Sequence, residues 1–195
     1  MFDVGNVLIR WDPRNLYRKL LDEERLEWFL AHVCDSAWNV EQDRGRSWAD
    51  AVTERIARHP EWASHIRAFD ERWQEMVAGP IEDNVAVLQR LRAAGVPTYA
   101  ITNFSREKFA ETCERFPFLA EFEGVIVSAH EGLLKPDPAI FRLFLARYGL
   151  DAGACVFIDD SKENVRGARA AGMRAIHFAE GVDLAAALRA FGVPL

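Results

Sequence analysis

The chain has no concentration of positive charge. Its 24 Lys and Arg stand against 30 Asp and Glu, the formal net charge is −6, and no Lys/Arg run exceeds two residues. Nucleic-acid binding needs a basic footprint that displaces counterions from phosphates, so no nucleic-acid partner is expected. A small phosphorylated molecule is a different case, because a few local donors can hold it against an acidic background. Cysteine is scarce as well. Cys34, Cys113 and Cys155 are scattered and suit neither a disulfide framework nor a CxxC metal pattern, so a reducing cytoplasm is the expected setting. Also lacking are a signal-peptide pattern, an apolar run near bilayer length, internal repeats and low-complexity stretches. No membrane partner is therefore expected. Nothing in the sequence fixes an oligomeric state.

What is present is an ordinary globular balance, with 50% apolar and 28% charged residues over 195 positions. That is enough for a full-sized core in one large domain or two small ones. Met1-Phe2-Asp3 reads as the end of a buried strand, short of the typical ~5 residues, which leads us to expect natural residues upstream of Met1. Asp12-Pro13 opens a helix, with Leu16, Tyr17, Leu20 and Leu21 at helical spacing. Further helices fit Glu23 to Val33, Trp48 to about Arg58 after a Ser47/Asp50 capping pair, and Pro60 to about Met76. No convincing strand interrupts residues 13–76.

The pattern then alternates. Helices are expected over Ile81–Ala94, Ser105–Phe116, Pro136–Tyr148, Lys162–Ala171 and Leu184–Phe191. Between them the short apolar runs PTYAIT (97–102), GVIVS (124–128), ACVFIDD (154–160) and RAIHF (174–178) read as strands. Alternation of this kind predicts an α/β fold, a Rossmann-like doubly wound parallel sheet covered on both faces. The helical block is then an insertion after the first strand, so residues 1–12 and 77–195 form the core and 13–76 the inserted domain.

In such sheets ligands sit beyond the carboxyl ends of the strands. Asp3, Thr102-Asn103 and Asp159-Asp160 fall at those ends, and Lys135 follows a strand after a short loop. Each alone has a plain structural role, as a helix cap or a solvated lysine. Together, in that order, they predict one polar crevice.

The segments FDVGNVL (2–8), ITN (101–103), KPDP (135–138) and IDDSKENVRGARAAGM (158–173) resemble the four ordered motifs of haloacid dehalogenase-like hydrolases. The resemblance spans almost the whole chain, with the helical block where that family carries its cap domain. Its Asp-x-Gly-Asn-Val motif is similar to that of sugar phosphatases such as glucose-1-phosphate phosphatase. The double aspartate resembles the amino-terminal phosphatase domain of soluble epoxide hydrolase. The resemblance implies a phosphatase in which Asp3 is the nucleophile and Lys135 its counter-ion. Mg²⁺ would be held by an Asp3 oxygen, the Gly5 carbonyl and Asp160, with Asp159 behind them. Thr102 and Asn103 would bind phosphate oxygens, and backbone N–H groups of the helix opening at Ser105 would face the same anion. Lys135 is expected to serve charge balance rather than folding.

One departure matters. Many phosphatases of the family place a general-acid aspartate two residues after the nucleophile, where this chain has Gly5. Asp12 is a candidate substitute, against its plainer role as a helix cap. Arg44 and Arg46, in a polar loop after Trp38, are candidates for binding the substrate's anionic or hydroxylated part. The six tryptophans lie between positions 11 and 73 and are expected to be mostly packing core. Two rival functions remain at this point. A 2-haloacid dehalogenase would use Asp3 without metal, but such enzymes usually carry Ser and Asn in place of the acidic pair. A non-catalytic binding protein would not need Asp3, Lys135 and Asp160 intact.

Overall fold

The computed structural model describes residues 1–195. Its first regular pairing is antiparallel: β1 (Ile9–Trp11) runs beside β2 (Val77–Pro80), with a register shift between Arg10 and Trp11. The two strands are the segments by which the chain enters and leaves the helical block. The sequence reading placed no strand at either position, since Gly79-Pro80 argues against one and the partners are far apart in sequence.

The central sheet is parallel. It contains β3 (Tyr99–Thr102), β4 (Gly124–Val127), β5 (Val156–Asp159) and β6 (Arg174–His177), paired β3 with β4 and β5 with β6. Phe2 joins the halves, bridging Ala100 on one side and Ile158 on the other. Its N–H donates to Tyr99 O at 2.9 Å and its carbonyl accepts from Ile101 N at 3.0 Å, while Asp3 N–H donates to Ile158 O at 2.9 Å. The spatial order is therefore β4, β3, the Phe2 segment, β5, β6. It reverses direction at the Phe2 segment, the switch point at which doubly wound sheets open a crevice.

Side chains alternate between faces along each strand, and the core divides accordingly. Ile101, Ile126, Phe157 and Ala175 join one apolar cluster, covered by helices Pro138–Tyr148 and Lys162–Ala170. The latter helix approaches closely, since a Cβ at Gly167 would lie 2.1 Å from Pro136 O. Ala100, Val127, Ile158 and Ile176 belong to the other cluster, with Leu88 of helix Glu82–Ala93 and Leu188 of helix Leu184–Ala190. That second cluster continues without a break into Leu16, Phe29 and Trp62 of the helical block.

Within the block, helices Glu23–His32 and Trp48–Arg58 form where expected, their first turns closed by Asp22 and Ser47. The stretch from Pro60 to Met76 is not one helix. A 3₁₀ turn precedes helix Ala63–Glu71, and another, Trp73–Met76, follows it. The polar loop expected after Trp38 is instead helix Ser36–Arg44. Asp35 caps its start by accepting from Trp38 N at 2.7 Å, and Gly45, at φ 119°, ends it. That glycine also packs tightly on the core, with room for a Cβ only 3.1 Å from Ala129 O. The block is tied down by Trp48 Nε1 donating to Ser105 Oγ at 2.8 Å and by a 2.8 Å Lys108–Asp70 ion pair. Ser128 Oγ donates to Asp43 O at 2.5 Å. These bonds fix helix Ser36–Arg44 above the carboxyl ends of the strands.

Candidate active site

At the sheet's switch point Asp3, Lys135, Asp159 and Asp160 converge. Lys135 Nζ lies 2.8 Å from Asp3 Oδ1 and 2.7 Å from Asp159 Oδ2, and its side chain is fully buried. Asp159 is buried too, and its remaining acceptor capacity is used locally. Its Oδ1 accepts from Ser161 N at 2.8 Å, and the Asn164 amide reaches both oxygens at 3.0 and 3.2 Å. Asp160 is less buried and has no ion-pair partner. Oxygen atoms of Asp3, Asp159 and Asp160 lie within 4.8 Å of one another.

Burial pushes the Asp3 carboxyl up to about 7; Lys135 pulls it back down, and Asp159 and Asp160 add to the rise. For Lys135, burial disfavours the charge, but Asp3 and Asp159 outweigh it and hold its pKa above the ordinary value. Burial and then Asp159 raise Asp160. Three carboxylates around one ammonium leave net negative charge, an arrangement that favours a further cation among them.

The phosphate-side residues divide. Thr102 Oγ1 is buried without a partner, so it is a free hydroxyl at the end of β3. Asn103 is already engaged: its Nδ2 donates to Lys135 O at 3.0 Å and its Oδ1 accepts from Lys135 N at 2.9 Å. Its amide holds the Lys135 backbone in place, and only the second Nδ2 hydrogen is left for a ligand. Asn103 thus positions Lys135 as well as lining the pocket. Ser105, which precedes helix Arg106–Arg115, lines the pocket over Asp3 together with Asp43.

The pocket over Asp3 has a volume of about 90 Å³. Asp3, Gly5 and Asn103 lie on the core side, with Asn39 and Asp43 from helix Ser36–Arg44 opposite, and Trp11 and Trp73 in the wall. Trp11 and Trp73 stack at 6.5 Å, so two of the six tryptophans line the site while Trp38, Trp48 and Trp62 are buried packing. Past Trp11, Asn39 and Asp43 the space continues into a cleft of about 560 Å³ that Leu30, Cys34 and Phe69 help to line.

Asp12 is not in this pocket. It accepts from Arg14 N at 2.9 Å and so caps the following turn. Arg44 and Arg46 are not there either. Arg44 lies 3.5 Å from Glu41, and Arg46 bonds Gln42, Glu54 and Trp38 O. Immediately before Arg44 sits Asp43, which sequence pattern alone does not single out. Burial, with Asp3 adding to it, pushes the Asp43 carboxyl up to about 7, while the Ser105 N–H and Lys135 oppose the rise.

Residues 1–172 match the model of the haloacid dehalogenase-like hydrolases. The chain belongs to that family. It is 26% identical over 189 residues to sesquiterpene phosphatase astK of Aspergillus oryzae, covering 97% of this chain and 93% of that protein. It is also 26% identical to drimenol cyclase drtB of Aspergillus calidoustus, but spans only 33% of that longer protein. Among solved structures, the fold is shared by a family enzyme of Bacteroides thetaiotaomicron, bt-2542, in complex with magnesium and inorganic phosphate. The TM-score is 0.77 at 23% identity, covering 96% of this chain and 97% of that one.

Proposed function

We propose that the protein is a Mg²⁺-dependent phosphatase of small phosphorylated metabolites, working through an aspartyl-phosphate on Asp3. Residues 13–76 act as the cap that shapes the leaving-group side, and 1–12 with 77–195 as the catalytic core. The observation that carries this reading is the unbalanced cluster: one buried ammonium serves Asp3 and Asp159, while Asp160 stands beside them with no cation. That donor set, hard oxygens and a surplus of negative charge, fits Mg²⁺. Asp3, the Gly5 carbonyl and Asp160 would hold it, Asp159 being committed to Lys135. Bound there, Mg²⁺ would neutralise phosphate charge as a Lewis acid.

The chain's own groups supply the rest. Asp3 is the nucleophile, and its attack on phosphorus divides one difficult displacement into two. Lys135, held through both its ammonium and its Asn103-bonded backbone, keeps Asp3 oriented and stabilises charge on the transferring group. The Thr102 hydroxyl, without a partner at the end of β3, would donate to a phosphate oxygen. Trp11, Trp73 and the cap helix exclude water from the reacting centre. The phosphatase name of the relative matching along nearly its whole length points the same way.

Phosphate release from p-nitrophenyl phosphate and a panel of phosphorylated metabolites, with and without Mg²⁺, tests the proposal beside chloride release from 2-chloropropionate. Mg²⁺-dependent phosphate release without chloride is expected. Metal-independent chloride release would make the protein a dehalogenase, and neither product would leave a binding protein.

A further inference from the structure

Gly5 leaves the site without an acid on the first loop, yet expulsion of an alkoxide from a phosphate ester needs a proton. The pocket itself narrows the choice. Of the residues that line it, only Asp3 and Asp43 carry ionisable side chains. Asp3 is ion-paired with Lys135 at 2.8 Å and is needed as the nucleophile. Asp43 has no such cation, since the two arginines that follow it, Arg44 and Arg46, pair with Glu41 and Glu54. It also lines the outer cleft, so it stands where the phosphate end of a substrate gives way to its leaving group. Nothing blocks the space between: a Cβ placed on Gly5 would meet no atom within 4 Å. Asp43 sits at the end of helix Ser36–Arg44, where the Ser128 bond to its carbonyl ties the backbone to the core.

We propose that Asp43, contributed by the cap, is the general acid–base of the reaction, in place of the aspartate missing at position 5. In the first step an Asp3 oxygen bonds to phosphorus as the phosphorus–oxygen bond to the leaving group breaks. The electron pair leaves with that oxygen, and the Asp43 proton moves to it, releasing a neutral alcohol and leaving Asp43 as a carboxylate. In the second step water attacks phosphorus and its proton passes to Asp43. The bond between Asp3 and phosphorus breaks, which frees inorganic phosphate and restores both carboxyl groups. A carboxyl that is partly buried, without an ion-pair partner and set across from another carboxylate keeps its proton longer than an exposed one, as this role requires. Asn39, one helical turn earlier, lines the same pocket and has a buried Oδ1 without a partner. It is a second polar contact on the leaving-group side.

The inference rests on the phosphatase proposal, and leaving-group chemistry separates the two. Asp43→Asn keeps size and hydrogen bonding but cannot deliver a proton. General acids contribute about 10²–10⁴-fold. The variant should therefore lose at least about 100-fold in kcat/KM on an alkyl phosphate such as glycerol phosphate. It should lose less than about tenfold on p-nitrophenyl phosphate, whose leaving group needs no proton. Circular dichroism melting of each variant checks the fold. If Asp43→Asn does not fold, Asp43→Ser makes the same comparison. Equal losses on both esters, in either folded variant, would overturn the inference and make Asp43 a cap-docking residue. Wild-type protein that releases phosphate from neither ester would instead sink the phosphatase proposal.

Discussion

On the sheet side of the pocket, Asp3 and Asp159 share a buried ammonium at 2.8 and 2.7 Å. On the cap side, Asp43 is only partly buried and has no ion-pair partner, and the charge of Asp3 opposes its own. The same residue type is thus set to two tasks by its surroundings. The Asp3 carboxyl has an ammonium in direct contact that orients it for attack, whereas Asp43 has no ion-pair partner and also lines the outer cleft. The sheet side is fixed by strand ends that cannot shift without breaking the core. The cap side adds docking bonds from Ser105, Lys108 and Ser128 to the apolar cluster it shares with the core. Exchange of substrate would have to work against those bonds, as it does where lids gate catalysis.

The largest expected effect lies on the sheet side. Asp3→Asn should abolish turnover by several orders of magnitude on every ester, with the fold intact by circular dichroism. Retention of more than a few per cent of phosphate release would remove Asp3 from the nucleophile role. Lys135→Ala comes next, with a loss of about 10²–10³-fold in kcat. The sequence alone suggested that this lysine matters to charge balance and little to folding. The structure corrects that, because its removal leaves Asp3 and Asp159 facing each other unpaired in the interior, a change that typically costs about 3–5 kcal/mol. A Lys135→Ala protein melting at the wild-type temperature at pH 7 would show that water or metal replaces the ammonium.

The neighbouring aspartates sharpen the contrast further. Asp160→Ala should weaken Mg²⁺ binding, read by titration calorimetry, more than Asp159→Ala does. The reason is that Asp159 is already spent on Lys135, Ser161 and Asn164. Asp159→Ala should show itself chiefly as lost stability. A reversed order in the titration would assign the ligand to Asp159.

Acid–base behaviour should distinguish the two sides as well. Asp3 and Asp43 are both raised in the folded protein, from the ordinary 3.8 to about 7. A raised carboxyl stabilises the fold fully below its unfolded pKa, and that contribution is lost as pH rises through the folded value. The melting temperature of metal-free protein should therefore fall between about pH 4 and pH 7 on account of these groups. Mg²⁺, which favours the ionised cluster, should raise it more at pH 8 than at pH 5. Asp43→Asn should flatten part of the decline and leave the Mg²⁺ effect. An unchanged slope in that variant would mean that Asp3 alone carries it.

How much of this was legible in the sequence follows the same division. The parallel strands, their order of polar ends and the approach of Lys135 to the aspartates could be read, because apolar runs alternating with helices constrain where the carboxyl ends fall. The segment Ser36–Arg44 could not, since it buries only Trp38 and Gln42 and shows almost no helical stripe. Its caps, Asp35 and Gly45, were the available signal. Without that helix, Arg44 and Arg46 stand out by charge, although it is the residue before them, Asp43, that lines the pocket. The β1–β2 pair was hidden for another reason. Its partners are separated by the whole cap, and local pattern carries no information about such pairing.

The smallest expected effect concerns Asp12, the acid candidate that lies nearer to Asp3 in sequence. In the structure its Oδ1 accepts the Arg14 N–H at 2.9 Å and lies 3.5 Å from the Arg14 guanidinium. Both contacts are at the surface end of the turn that begins the cap. Loss of a capping side chain generally costs about 1 kcal/mol, and the exposed ion pair adds little. Asp12→Ala should therefore lower the melting temperature slightly and reduce rates on glycerol phosphate and p-nitrophenyl phosphate by the same small factor. Asp43→Asn, by contrast, should split the two substrates. The ratio of the two losses is the decisive quantity, because a weakened cap affects both esters alike whereas a missing proton affects only the poor leaving group. A selective loss of the alkyl ester in Asp12→Ala, with Asp43→Asn showing none, would move the acid from the cap helix back to the loop that precedes it.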